Sequence, residues 1–148
     1  MKADFMNNAL ELAKKAAALG EVPIGAVVVK NGEIIGEGYN LRETNGSILA
    51  HAEIMALESA AKKLGDWRLD GCELYVTLEP CLMCSGAIIQ TRIKKVVYGA
   101  LDPKGGAIES VLKVNEVKVI NHRFESISKV LEKECSMILK SYFKSKRN

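Results

Sequence analysis

No apolar run in this 148-residue chain approaches the ~20 residues that a bilayer-spanning helix needs. The longest, around residues 27–29 and 86–89, stop far short, so no membrane passage is expected. Met1-Lys2-Ala3-Asp4 opens no apolar segment with a small-residue cleavage site, which argues against export and for a cytoplasmic chain. Charge of one sign is scarce as well: 21 Lys and Arg against 18 Asp and Glu leave +3, too little by itself to announce a polyanion binder. There are two histidines and four cysteines, and cysteines in a non-exported chain stay reduced rather than forming a disulfide framework. No internal repeat or linker interrupts the chain. With 48% hydrophobic residues the expectation is one domain over residues 1–148, filled by one core.

What is present is strongly patterned. Phe5, Ala9, Leu12, Ala13, Ala16 and Ala17 recur at helical spacing over residues 4–19, and Gly20 follows as a stop. Residues 24–30 and 33–39 are β-rich runs joined by Asn31-Gly32, the dipeptide suited to a tight hairpin. A polar loop over 40–47 precedes an Ala-rich helix over 50–64, which places His51 and Glu53 in its first turn. A buried strand over 74–78 leads through Pro80 into a helix over 81–91. Residues 96–100 read as a strand, 101–106 as a glycine-rich loop, 117–121 as a possible last strand and 128–144 as a closing helix. This order predicts an α/β fold with helices on both faces of a mixed sheet. Strand order is not legible.

Two short segments carry chemistry: His51-Ala52-Glu53, and Pro80-Cys81-Leu82-Met83-Cys84 further along. Cys81 and Cys84 at i and i+3 project from one side of a helix, so their sulfurs can converge on one ion, and the field of the helix N-terminus favours the thiolates. With His51 added, the set has two thiolates and one imidazole, which suits Zn2+ and leaves a fourth position for water. Zinc brings such water to a pKa of about 7. Glu53, which would not ligate, is then the carrier of its proton. Cys72 and Cys135 read as small buried hydrophobes.

The pattern H-x-E followed by P-C-x-x-C is the general signature of zinc deaminases acting on nucleobases. Along nearly its whole length the sequence resembles the bacterial tRNA-specific adenosine deaminases. The matching words are Val22-Pro23-Ile24-Gly25-Ala26-Val27, Gly36-Glu37-Gly38-Tyr39-Asn40, Ala50-His51-Ala52-Glu53-Ile54, Thr77-Leu78-Glu79-Pro80-Cys81-Leu82-Met83-Cys84 and Asn121-His122-Arg123. The resemblance implies a cytidine-deaminase-like three-layer α/β/α sandwich, a homodimer with active sites near its interface, and one zinc ion per subunit. It implies an adenosine-to-inosine reaction at the wobble base of a tRNA anticodon stem-loop. Asn40 matches a residue that touches the base and Asp102 one near the target ribose, while Lys104, Asn121, His122 and Phe143 align with RNA-contacting positions. Two departures stand out: Ser47-Ile48-Leu49 replaces a segment that usually holds a proline, and Leu101 stands where arginine is frequent.

Other readings stay open at this level. Cys81 and Cys84 also fit a thioredoxin-like redox pair, in which His51 and Glu53 would have no task, or a structural zinc module with a fourth protein ligand. The same chemistry could serve a free guanine, cytosine or cytidine, and a non-catalytic zinc-stabilised RNA-binding module is a third class. His122 reads as a packed or solvent-facing histidine sooner than as a catalyst, and Phe143 reads equally as core and as a stacking platform. Lys140, Lys144, Lys146 and Arg147 suit either RNA phosphates or the dipole of a helix end.

Overall fold

Asn31 and Gly32 both adopt positive φ, 51° and 77°, and so make the tight turn that the hairpin requires. They join β1 (Gly25–Lys30) to β2 (Glu33–Tyr39) in the computed structural model, which describes residues 2–147. The other elements are α1 (Lys2–Ala18), α2 (Arg42–Asn45), α3 (Ala52–Leu64), β3 (Glu73–Leu78), α4 (Leu82–Gln90), β4 (Lys95–Ala100), a 3-10 turn at Val114–Glu116, β5 (Glu125–Ile127) and α5 (Glu132–Lys146).

The strands form one mixed sheet in the order β2-β1-β3-β4-β5. β1 is antiparallel to β2 and β3, whereas β3, β4 and β5 run parallel. Successive side chains on a strand point to opposite faces, and the apolar runs of β1, β3 and β4 supply both. Val27, Val29, Tyr75 and Val97 meet Met6 and Leu12 of α1 and Cys135 of α5. Val28, Leu74, Val76 and Val96 meet Ala56 and Leu57 of α3 and Ile88 and Ile89 of α4. The result is the expected three-layer α/β/α sandwich. Cys72 and Cys135 are fully buried.

One end of this sheet gathers the residues that matter. Because β1 opposes both its neighbours, the ends of β2, β3 and β4 lie beside the start of β1. The chain after β2, the entry to α4 and the loop after β4 therefore share that end, the usual place for a site in an open α/β sheet.

Two segments differ from expectation. Residues 117–121 form no strand: Val117 and Val119 are exposed, and Arg123 donates to the carbonyl oxygens of Asn115 (2.9 Å) and Val117 (2.8 Å). Those carbonyls are thus held by a side chain, and the edge of β4 pairs instead with Glu125–Ile127. The alternating pattern Val-Lys-Val mimicked a strand without a buried face. The closing helix starts at Glu132 because Lys129 and Leu131 take positive φ, 63° and 54°, which no α-helix accommodates.

Candidate active site

His51 and Cys81 occupy equivalent positions: each is the N-cap of a helix, with extended backbone, His51 on α3 and Cys81 on α4. Cys84 lies in the first turn of α4 and is fully buried. Nδ1 of His51 is 3.5 Å from Sγ of Cys84 and 3.8 Å from Sγ of Cys81, and the three atoms lie within 4.8 Å of one another. A tetrahedral ion bound ~2.0 Å from nitrogen and ~2.3 Å from sulfur would separate the two by about 3.5 Å. The three side chains thus fit a single metal ion, and two helix N-termini direct their positive ends toward the thiolates.

The proton chemistry agrees with this grouping. Hydrogen bonding from Cys84 and His51 pulls the Cys81 thiol down, to about 4, against the opposing effect of burial. Its partner Cys84 is pushed up, first by the bond to Cys81 and then by burial. The bond to Cys81 likewise raises His51. Glu53, in the first turn of α3, is 5% exposed, and burial lifts its carboxyl to about 7. A carboxyl that changes protonation near neutrality can both accept and return a proton.

The remaining sequence candidates divide by location. Asn40 follows β2 at the same sheet end; its Nδ2 donates to the Val22 carbonyl (3.2 Å), and its Oδ1 accepts the Arg42 N–H (3.1 Å). Asp102 follows β4, and its Oδ1 accepts the N–H groups of Lys104 (3.1 Å) and Gly105 (3.2 Å), closing a tight turn. Asp102, Lys104 and Phe143 line one cleft of about 490 Å³ with Leu78, Leu101 and Lys140. Phe143 is 49% exposed there, stacked edge-on against Tyr142. His122 and Asn121 lie elsewhere. His122 Nε2 is 2.7 Å from the Ile93 carbonyl oxygen, just before β4, so both residues sit at the opposite end of the sheet.

Two buried carboxylates escaped the sequence reading. Glu21, 2% exposed, accepts the N–H of Glu43 (3.2 Å) and both the N–H (2.5 Å) and hydroxyl (2.6 Å) of Thr44. It thereby caps α2, a single turn inside the segment read as loop, and fixes the approach to His51. Burial alone would raise its pKa, but the donors from Thr44 and Glu43, with the Arg42 charge, hold it below the usual range. Glu79, also 2% exposed, organises the loop after β4. Its sequence signal was only its place beside Pro80-Cys81, since its partners lie over 20 residues away.

Comparison with known proteins places this geometry in a family. The MafB19-like deaminase model matches residues 1–147. A tRNA-specific adenosine deaminase of Bacillus subtilis is 50% identical over 97% of this chain and 89% of its own. Among solved structures, one from work on A-to-I editing by tRNA:A34 deaminases at the wobble position of transfer RNA superposes with a TM-score of 0.90. It is 43% identical over 92% of this chain and 99% of its own. A guanine deaminase from Nitrosomonas europaea is more distant, with a TM-score of 0.77 and 27% identity over 95% of this chain and 83% of its own. With a matching family model, relatives at this identity and the His-Cys-Cys group beside a buried glutamate, the chain belongs to the MafB19-like deaminases and, within them, to the tRNA-specific adenosine deaminases.

Proposed function

We propose that this chain is a zinc-dependent hydrolase that converts adenosine to inosine at the wobble position of tRNA. The observation that carries the reading is the approach of His51 Nδ1 to both cysteine sulfurs, with the buried carboxyl of Glu53 two residues along. Two thiolates and an imidazole favour zinc, held by His51, Cys81 and Cys84. When bound, the ion supplies Lewis acidity that makes water nucleophilic near neutral pH. Glu53 takes the two protons of the attacking water in turn and delivers one to the ring nitrogen and the other to the departing amine. The water oxygen bonds to the carbon that bore the amine, the C–N bond breaks, and ammonia leaves.

Asn40 and Asp102, at the same end of the sheet, are assigned to the base and its ribose, and Lys104 and Phe143, in the cleft with Asp102, to the flanking nucleotides. An anticodon loop suits such a site because its bases unstack at small cost. Asn121 and His122 are assigned to RNA further from the reacting base. A second copy of the chain would pack on the apolar groove of α3 and α4 lined by Ile54, Ala61, Trp67 and Ala87. Among the described residues no helix is long and apolar enough to cross a membrane. On the tRNA reading the enzyme is assigned to the cytoplasm.

The test is ammonia release by zinc-loaded protein from an anticodon stem-loop bearing wobble adenosine, in parallel with guanine, cytosine and cytidine. Release from the stem-loop is expected. Release from a free base alone overturns the tRNA assignment.

A further inference from the structure

Glu79 directly follows β3, two residues before Cys81, and its buried carboxylate accepts five hydrogen bonds, all from the loop that follows β4. Oε1 accepts the Asp102 N–H (3.1 Å) and the Ser110 hydroxyl. Oε2 accepts the N–H groups of Ile108 (3.1 Å), Glu109 (2.8 Å) and Ser110 (3.0 Å). The backbone ties the same segments again: the Glu79 N–H donates to the Ala100 carbonyl (2.8 Å), and the Ala107 N–H to that of Pro80 (2.9 Å). Gly106 completes the wrap, because a Cβ there would collide with the Glu79 carboxylate.

No ion pair with Lys or Arg is found for Glu79 among the described residues. Its charge is balanced by converging N–H dipoles, the arrangement of a backbone anion nest, except that the anion belongs to the protein. Core packing alone does not call for such a group, since a buried carboxylate needs every one of its donors. Its position joins the two halves of the site. On one side the chain runs directly to Cys81. On the other, the Asp102 N–H hangs on Oε1 while the Asp102 carboxylate holds Lys104 and Gly105.

We propose that Glu79 is a positioning residue for the substrate: its carboxylate is the template on which residues 102–110 fold, holding Asp102 and Lys104 in fixed register with Cys81. This rests on the deaminase reading above, in which Asp102 and Lys104 face the nucleotide. Loss of the template lets the substrate loop move without disturbing the metal-holding side chains.

Glu79→Gln is the discriminating change, because it keeps the volume but turns one acceptor toward the Asp102 N–H into a donor. The E79Q protein is expected to keep full metal content. Its kcat/KM on the anticodon stem-loop should fall ~10–100-fold, the scale of a 1 Å misplacement, mainly through KM. Amide hydrogen exchange should quicken at residues 102–110 but not in α3 or α4, a readout that does not depend on which substrate is correct. Combined with Asp102→Ala, E79Q should add less than about 3-fold to the loss from D102A alone, since both act through one loop. Wild-type exchange in that loop, unchanged kcat/KM, multiplicative losses with D102A, or loss of metal each overturn the proposal. If E79Q does not fold, Gly106→Ala tests the same contact from the loop side, judged by the same exchange and KM criteria. Failure of the wild-type protein on every stem-loop would instead sink the functional reading, leaving the exchange result to decide the role of Glu79 in the loop.

Discussion

Gly38 of β2 lies directly beneath the first turn of α3, where a Cβ would run into the carbonyl oxygen of Ala52. The contact seats the turn carrying His51 and Glu53 on the sheet. Gly38→Ala must therefore lift the start of α3, at a cost of ~1–3 kcal/mol, the usual range for overpacking. Urea unfolding should show that loss, and zinc titration should show weaker binding. A variant as stable and as metal-avid as the parent would mean that α3 is not held by this contact.

Removal of the Glu53 carboxyl separates proton transfer from metal binding. Glu53→Ala is expected to retain one zinc per chain and to lose at least ~100-fold in rate, the lower end of general acid–base contributions. Undiminished turnover would refute the proton-carrier role. Cys81→Ala should instead lose metal and folding stability together, because binding at such a site is coupled to folding. Metal analysis beside thermal unfolding checks both.

Glu21 predicts an acid-sensitive contribution to stability. Its carboxylate faces the Thr44 hydroxyl and the N–H groups of Glu43 and Thr44, with Arg42 as the nearby cation, and its folded pKa lies below 4.5. A depressed carboxylate stabilises the fold fully above the unfolded value and loses that effect as pH falls from 4.5 through the folded pKa. Glu21→Gln should cost ~1–3 kcal/mol at pH 7, because one acceptor for the part-buried Glu43 and Thr44 donors is lost, and less at pH 3. Equal losses at both pH values would show that ionisation of Glu21 is irrelevant.

Lys104 and Lys140 line the cleft with Phe143 and Asp102, and phosphate contact there would make binding salt-dependent. The double variant K104A/K140A should bind a stem-loop more weakly, with the slope of log K against log salt reduced by about 0.7 per lost contact. An unchanged slope would remove this cleft from the RNA interface.

The helices and strands near the site were legible because each depends on neighbours in the chain. Asn31-Gly32 can take two positive φ angles, and Pro80 cannot continue a helix backward, so the hairpin and the start of α4 follow from local chemistry. Residues 117–121 misled because their alternation is real but faces solvent, and only the carbonyl contacts of Arg123 reveal the turn. The α2 turn was missed because its cap, Glu21, is remote in sequence.

From its sequence alone this chain determined its layers, its hairpin and the chemical identity of its site: one imidazole, two thiols one helical turn apart and a nearby carboxyl. Those properties rest on residue type and short spacing. Tertiary structure alone decided the strand order, the meeting of the N-termini of α3 and α4, and the anchoring of two site loops on Glu21 and Glu79. These depend on contacts between residues distant in the chain, where a single sequence carries no periodic signal and only the folded sheet brings donor and acceptor together.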